Sequence, residues 1–164
     1  MESILFEEKI PVRTKSYDVL VAGGGVAGIA AALTARRAGK TVLLIEKSTI
    51  LGGLATLGLV NLFVPMCNGR GKQIIYGLAE EFLRFSQKYG WSTVPKVWEN
   101  GEPAEPTTIR YLAHFSQNIF AIAILDFLAE AGVEILFDTI VSASIMKGGH
   151  CEGIIVEGKS GREF

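Results

Sequence analysis

Four glycines fall within six residues of VAGGGVAGIAAA, the stretch that covers residues 21–32 and contains no ionisable side chain. A helix that ran through all four would lose about 1 kcal/mol at each glycine relative to alanine. The uncharged run is therefore a poor candidate for a membrane-spanning helix, and we expect no membrane partner. We interpret it as a strand, a tight turn and the start of a helix.

The segments on either side of the glycines have the patterns of regular structure. YDVLVA, residues 17–22, is a run of β-favouring residues broken only by Asp18, which is typical of a parallel strand covered on both faces. VAGIAAALTARRAG, residues 26–39, has apolar side chains at helical spacing and ends at Gly39, where a C-terminal cap is expected. KTVLLIEK, residues 40–47, then predicts a second strand.

The glycines match the pattern G-x-G-x-x-G at Gly23, Gly25 and Gly28, and an acid, Glu46, follows 18 residues after the last of them. Gly23 permits a tight turn, Gly25 lets a pyrophosphate approach the backbone, and Gly28 lets helix and strand pack closely. The helix N-terminus favours negative charge, and Glu46 is expected to accept hydrogen bonds from an adenosine ribose. The pattern predicts a dinucleotide site. The simpler alternatives are a glycine-rich turn without a ligand and a solvated acid at a strand end.

This pattern does not identify the dinucleotide, because nicotinamide and flavin dinucleotides share it. The residues after Glu46, KSTILGGLATLGLVN, hold the doublet Gly52-Gly53 and a further glycine at Gly58. The segment is too rich in glycine for a helix and too apolar for a solvated linker. A nicotinamide-dependent dehydrogenase is expected to enter another helix here, so the segment disfavours that class.

The stretch EKSTILGGLATLGLVN resembles the FAD-dependent oxidoreductases that share a glutathione-reductase-like flavin domain, and the resemblance continues more weakly at FLAEAGVEILFDTIV. It implies that Gly52, Gly53 and Thr56 line the pyrophosphate and the ribityl-flavin end of FAD. It also implies a backbone contact between Val141 and the adenine edge, although Val141 is equally suited to a core position in a strand. The candidate cofactor-binding residues are Gly23, Gly25, Val26, Ala27, Gly28, Glu46, Lys47, Gly52, Gly53, Ala55, Thr56 and Val141.

The predicted fold is α/β, a Rossmann-like FAD/NAD(P)-binding domain over residues 1–164 with a central parallel sheet and an antiparallel β-meander. Further helices are expected over residues 72–90 and, capped by Ser116, over residues 116–131. Strands are expected over residues 133–146 and 151–159, joined at Gly148-Gly149. Three prolines in residues 91–108 predict an irregular surface excursion that is mobile, or ordered only by a contact outside this chain.

The flavin domains that this chain resembles continue from the meander into another parallel strand, whereas the sequence ends at GKSGREF. We therefore expect the N-terminal portion of a larger flavoenzyme, with a sheet that is incomplete at the C-terminus. Unpaired strand edges favour self-association, so we expect a homo-oligomer formed through this sheet. The expected activity is flavin-mediated hydride or electron transfer on a small-molecule substrate. The alternatives are a non-catalytic dinucleotide-binding module and an NAD-dependent dehydrogenase.

The charge balance and the cysteine content indicate which partners and which cellular compartment to expect. With 16 Lys and Arg against 17 Asp and Glu, a nucleic-acid partner is not expected. Cys67 and Cys151 lack metal-ligand spacing, so we expect no metal site, and two distant cysteines fit a reducing, cytoplasmic compartment. MESILFEEKIPVRTK, residues 1–15, lacks the apolar run of a signal peptide.

The sequence assigns no catalytic acid or base. Cys67 is either a structural thiol or a redox group that faces the flavin. His114 and His150 are isolated and show no evident pairing with an acid or a serine, which favours non-catalytic roles. Arg70 and Lys72, near the start of a predicted helix, either form a solvated pair or neutralise a phosphate or an anionic substrate.

Overall fold

The computed structural model describes residues 7, 9, 11–12 and 15–163, so most of the N-terminal stretch without signal-peptide character lies outside the described residues. Two 3₁₀ turns, Gly53–Ala55 and Lys96–Trp98, lie in connections. The other elements are, in chain order, β1 (Val19–Ala22), α1 (Val26–Arg37), β2 (Val42–Ile45), β3 (Leu62–Phe63), α2 (Leu78–Ser86), β4 (Ala113–His114), α3 (Gln117–Glu130), β5 (Glu134–Leu136), β6 (Thr139–Lys147), β7 (His150–Gly158) and β8 (Gly161–Glu163).

A parallel sheet of three strands, in the order β1-β2-β5, forms the centre of the fold. Val19 of β1 pairs with Val42 of β2, and Leu43 of β2 pairs with Glu134 of β5. Leu44 in the central strand has no exposed surface, as expected for a strand covered on both faces. The predicted α/β fold with a central parallel sheet is confirmed.

Helix α1 covers this sheet, and its buried side chains Ile29, Ala32 and Leu33 belong to the same hydrophobic cluster as β2. Beyond the end of the helix, Gly39 has a φ of 78° and its N–H donates to the carbonyl oxygen of Arg36 at 2.9 Å. A positive φ at this position favours glycine. The predicted order of strand, turn, helix and strand is therefore confirmed.

Helix α3 begins at the predicted cap, because Ser116 Oγ accepts a hydrogen bond from the N–H of Ile119 at 3.4 Å. It ends shortly before Gly132, whose φ is 75°. Phe120 and Ile124 are buried against the cluster that α1 and β2 form. The helix predicted over this region is confirmed, and the cap and the terminal glycine set its length.

Helix α2 is shorter at its start than the predicted helix over residues 72–90. Gly77 precedes it with a φ of 66° and a ψ of −137°, which is not a helical conformation. Further upstream, Gln73 forms an antiparallel bridge with Cys67, and its side-chain amide donates to the carbonyl oxygen of Ile75 at 2.7 Å. The N–H of Gln73 also donates to Glu102 Oε2 at 3.2 Å, and this bond to a distant residue, with the two local contacts, holds the segment out of a helix despite its apolar periodicity.

The single strand predicted over residues 133–146 is divided in two. The chain turns at Asp138, whose φ is 54°, so β5 joins the parallel sheet and β6 begins a separate antiparallel sheet with β7 and β8. Gly148 and Gly149, with φ values of 56° and 83°, form the predicted turn between β6 and β7. Asp138 tolerates a positive φ better than most residues, so the chain can turn there without a glycine. The β-favouring residues on both sides therefore look like one continuous strand.

Residues 91–108 are irregular apart from one 3₁₀ turn, but their middle is buried. Trp98 has no exposed surface, its ring centroid lies 5.2 Å from that of Tyr111, and its indole N–H donates to the carbonyl oxygen of Ile109 at 3.3 Å. Arg84 of α2 donates to the carbonyl oxygen of Trp98, also at 3.3 Å. Contacts within this chain thus hold the excursion at its centre, and the mobility of its remaining residues stays a prediction.

Among the residues that the structure describes, none of the helices has the length and apolar character that a bilayer crossing requires. Over the same part of the chain, His, Cys, Asp and Glu side chains do not gather in groups of three that could hold a metal ion. Cys67 is a buried free thiol and Cys151 is an exposed one.

Trp98 is expected to contribute most of the stability of the excursion. Replacing it in the variant Trp98→Ala should lower the free energy of unfolding by about 3 to 5 kcal/mol, the usual cost of deleting a buried aromatic ring. Denaturant unfolding followed by circular dichroism measures this change. The matched control is Trp91→Ala, because Trp91 is 52% exposed and should matter little. Equal effects of the two substitutions would contradict the anchoring role.

Candidate functional site

The turn between β1 and α1 depends on two of the predicted glycines for its shape. Gly23 has a φ of 106°, and its N–H donates to the carbonyl oxygen of Ile45 at 2.7 Å. A Cβ on Gly28 would lie 1.9 Å from the carbonyl oxygen of Gly23, far inside any permissible contact. Strand and helix can therefore pack this closely only with glycine at position 28.

Gly24, which the sequence pattern leaves unassigned, also has little room for a side chain. A Cβ at this position would come within 2.5 Å of Leu51 Cδ2 and 3.1 Å of Glu46 Oε2. The N–H of Gly24 donates to Glu46 Oε2 at 2.6 Å. The glycine turn and the predicted ribose-binding acid are thus directly bonded, and a glycine at the middle position of the G-x-G step was the available signal for this contact.

Gly25 differs from the other glycines of the turn. Its φ of −71° and ψ of 175° are open to every residue type, and a Cβ there would meet no atom within 4 Å. It precedes α1 without any side-chain cap, and the first turn of the helix carries no acidic side chain. Val26 and Ala27, at the exposed start of the helix, border the same free space. Unpaired N–H groups at such an N-terminus favour an anion.

Glu46 follows β2 and is almost completely buried, with 8% of its surface exposed. Besides the bond from Gly24, its Oε1 accepts hydrogen bonds from the Ser48 N–H at 2.8 Å and the Ser48 hydroxyl at 2.7 Å. Burial would raise the pKa of the carboxyl, but the bonds from Ser48 and Gly24, with the charge of Lys47, outweigh it and hold the pKa below its ordinary value. The acid is therefore an ionised acceptor in a fixed position.

The second glycine-rich segment packs directly on the first. The N–H of Gly52 donates to the carbonyl oxygen of Gly24 at 2.8 Å, and Gly52 forms a parallel bridge with Gly25. Gly52 and Gly53 have φ values of 101° and 54°, and a Cβ on Gly53 would lie 3.1 Å from the Cα of Gly25. Residues that are 27 positions apart in the sequence thus form one continuous backbone surface.

Two other candidates in this segment have their side chains turned inward. Ala55 is buried, and the buried Thr56 donates its hydroxyl to the carbonyl oxygen of Leu51 at 2.6 Å. Thr56 also fills the space beside Gly52, where a Cβ would lie 2.5 Å from Thr56 Cγ2. Their contact with a cofactor stays a prediction, and the structure shows that they brace the loop.

The remaining candidates are Lys47, which follows Glu46 in the chain, and Val141, which lies in the separate antiparallel sheet. Lys47 is exposed. Val141 is half-buried in β6 and pairs with Val156 of β7. The start of β6 is joined to the site, because the N–H of Thr139 donates to the carbonyl oxygen of Glu46 at 3.1 Å. The adenine contact of Val141 stays a prediction.

Cys67 and Lys72, two other reactive side chains, make contacts with residues outside the two glycine segments. Cys67 belongs to the hydrophobic cluster of Trp98, and its sulfur accepts a hydrogen bond from the N–H of Tyr111 at 2.9 Å. Lys72 forms an ion pair with Glu102 at 2.7 Å. Since α2 begins only at Leu78, Lys72 does not lie near the helix start, and the predicted placement was wrong.

Three further polar side chains considered above, His114, His150 and Arg70, lie in strands or in a loop. The N–H of His114 donates to the hydroxyl of Thr93 at 2.7 Å in β4, and His150 is exposed at the start of β7. Arg70 is exposed in the loop where its N–H donates to Asn68 Oδ1 at 2.8 Å. These positions add no group to the backbone surface that Gly24, Gly25, Gly52 and Gly53 form.

Comparison with solved structures supports the fold. The chain superposes on THI4 of Thermovibrio ammonificans with a TM-score of 0.55 and 17% identity, covering 88% of this chain and 48% of that one. It superposes on the myxobacterial chondrochloren halogenase CndH, described as an FAD-dependent halogenase variant, with a TM-score of 0.55 and 19% identity over 92% and 34% of the two chains. At these identities the likeness concerns the fold alone.

Comparison of sequences gives a more specific result. A digeranylgeranylglycerophospholipid reductase of Methanoculleus marisnigri is 29% identical over 147 residues, which cover 84% of this chain and 33% of the reductase. The chain thus spans about a third of the length of this curated relative. The sequence model of the FAD dependent oxidoreductases matches residues 18–164, which begin directly before β1. The chain belongs to the FAD-dependent oxidoreductase family.

Proposed function

We propose that this chain binds the adenosine diphosphate part of FAD on the surface formed by the glycine turn, Glu46 and the Gly52-Gly53 loop. In the whole protein this surface serves a flavin-mediated hydride or electron transfer on a small-molecule substrate. FAD is the cofactor of the family to which the chain belongs, and it supplies the redox chemistry when bound. The contribution of this chain is to hold and orient it.

The open space at Gly25 is the observation that supports this proposal most strongly. Neither the backbone conformation nor packing within the chain requires a glycine there. Gly24 and Gly28, by contrast, would clash with other parts of the chain if they carried a Cβ. A glycine that the fold itself does not need is explained by a ligand that approaches the backbone closely.

In this proposal each group would hold a different part of the cofactor. The pyrophosphate lies at the start of α1, where the N–H groups of Val26 and Ala27 have no intrahelical partner. The ribose hydroxyls donate to the carboxylate of Glu46, and that negative charge disfavours a ribose that carries a 2′-phosphate. The Gly52-Gly53 loop lies against Gly25 and extends the surface toward the flavin end.

We also propose a cytoplasmic location and a homo-oligomer. The free thiols of Cys67 and Cys151 support a reducing compartment. Among the residues that the structure describes, β1 pairs with β2 alone, so its other edge offers unpaired N–H and C=O groups. Leu20 is 37% exposed in this strand, and an apolar strand edge of this kind favours pairing with a second copy of the chain.

Substituting the glycines of the turn one at a time separates folding from binding. Gly25→Ala should leave the free energy of unfolding unchanged or raise it by up to about 1 kcal/mol, because alanine restricts the unfolded chain. The same variant should weaken FAD binding by about 1 to 3 kcal/mol, the cost of forcing a methyl group into a close contact. Gly28→Ala is the matched variant, and it should destabilise the fold by about 2 to 3 kcal/mol.

Calorimetric titration with FAD and denaturant unfolding measure the two properties separately. A Gly25→Ala chain that binds FAD as well as the parent would contradict the proposed approach of the pyrophosphate. An absence of FAD binding in the parent chain would overturn the proposed function itself and favour a module that keeps the fold without the cofactor.

Glu46→Gln should weaken FAD binding by about 1.5 to 3 kcal/mol, because hydrogen bonds to a charged acceptor lose that amount when the charge is removed. The pKa of Glu46 lies below its ordinary value, so its carboxylate stays ionised to a lower pH than that of an ordinary glutamate. FAD affinity should therefore decline only at lower pH, as the carboxylate takes up a proton. Titrations over a series of pH values measure both effects, and an affinity that Glu46→Gln leaves unchanged would refute the ribose contact.

Self-association is expected to depend on the edge of β1. Light scattering should show a dimer or larger species, and Leu20→Lys should shift it toward the monomer, because a charged side chain at a strand edge opposes pairing. Ile122→Lys is the matched control, since Ile122 is 59% exposed on α3 and away from this edge. A monomer at every concentration, or equal effects of the two lysines, would be evidence against the edge as the interface.

A further inference from the structure

Two different parts of the chain fix the two oxygens of the Glu46 carboxylate. Oε2 accepts the hydrogen bond from the Gly24 N–H at 2.6 Å, which comes from the glycine turn. Oε1 accepts the bonds from the Ser48 N–H at 2.8 Å and the Ser48 hydroxyl at 2.7 Å, which come from the loop after β2. The plane of the carboxylate is therefore defined from both sides.

Ser48 is itself held in place by the surrounding backbone. Its carbonyl oxygen accepts a hydrogen bond from the N–H of Asp138 at 3.2 Å, at the corner between β5 and β6. The single hydroxyl proton of Ser48 has two acceptors at 2.7 Å, Glu46 Oε1 and the carbonyl oxygen of Ile50, and the charged carboxylate is the stronger acceptor of the two. Ser48 is thus held at the corner between the central and the antiparallel sheet. From there it gives rigid support to the nearby carboxylate of Glu46.

An ionised carboxylate can accept about four hydrogen bonds. The bonds from Gly24 and Ser48 occupy three of these positions, and the remaining one is on Oε2, the oxygen that faces the glycine turn. The hydroxyl of Ser48 thereby determines which oxygen of Glu46 remains available to a ligand and where it points.

We propose that Ser48 is a positioning residue for the cofactor: its hydroxyl holds Oε1 of Glu46 so that Oε2 is presented to the ribose hydroxyls beside the glycine turn. This inference rests on the proposed FAD site and adds a residue that acts through Glu46. The Ser48→Ala substitution isolates the hydroxyl, since the bond from the Ser48 N–H is kept.

The charged state of Glu46 responds to the same hydroxyl. Burial acts to raise the pKa of the carboxyl, and the Ser48 hydroxyl is the first of the groups that lower it, followed by the N–H groups of Ser48 and Gly24 and the charge of Lys47. Lys47 is the charged side chain that acts on Glu46 within the described residues, and the test leaves it unchanged. Removal of the hydroxyl should therefore raise the pKa of Glu46.

The experiment compares the parent chain with Ser48→Ala, Ser48→Thr and the surface control Ser92→Ala. FAD is titrated into each at several pH values, and the side-chain carboxyl carbon of Glu46 is followed by NMR without FAD. Ser48→Ala should bind FAD about three- to tenfold more weakly, in line with one lost hydrogen bond. Its affinity should begin to fall at a higher pH than that of the parent, and the NMR titration should move in the same direction.

Ser48→Thr keeps the hydroxyl and should retain both the affinity and the pH profile, as should Ser92→Ala. Equal or tighter FAD binding by Ser48→Ala, with the Glu46 titration unmoved, would overturn the positioning role while leaving the FAD site intact. If the parent chain fails to bind FAD, the proposed function fails, and the NMR titration still reports separately whether Ser48 controls the acid.

Discussion

The carbonyl oxygen of Gly23 lies so close to the first turn of α1 that a Cβ on Gly28 would come within 1.9 Å of it. This approach brings β1 and α1 together over the cluster that includes Ile29 and Leu33, both without exposed surface. It also directs the start of the helix to the carboxyl end of the parallel sheet, where ligands of open α/β sheets bind. The other features of the site follow from this contact, because they all attach to the turn that it creates.

The turn is connected to two further segments through hydrogen bonds of its backbone. The N–H of Gly24 binds the carboxylate of Glu46, and the carbonyl oxygen of Gly24 accepts the N–H of Gly52. The backbone of Gly24 thus contacts both the acid and the second glycine loop. Since the carboxylate is also held by Ser48, contacts within the chain fix the acid and both glycine segments in place.

Much of this site was predictable from the sequence, because the pattern that specifies it is local. The spacing of Gly23, Gly25 and Gly28 between a strand and a helix predicts the turn, and the structure confirms that arrangement. The start of α2 and the break at Asp138 were not predictable, since they depend on bonds to distant residues, such as the one from the Asp138 N–H to Ser48. The contact of Gly24 with Glu46 also joins distant residues, and the glycine at the middle position of the G-x-G step is the signal that the sequence carries for it.

Titration of FAD into the isotopically labelled chain, with its backbone amide resonances recorded, tests the cofactor site most directly. The largest shifts are expected at residues 23–28, 46–48 and 52–53, with little change around the buried Trp98. Largest shifts elsewhere in the chain, or no shifts at saturating FAD, would contradict the claim that the glycine turn is the cofactor site.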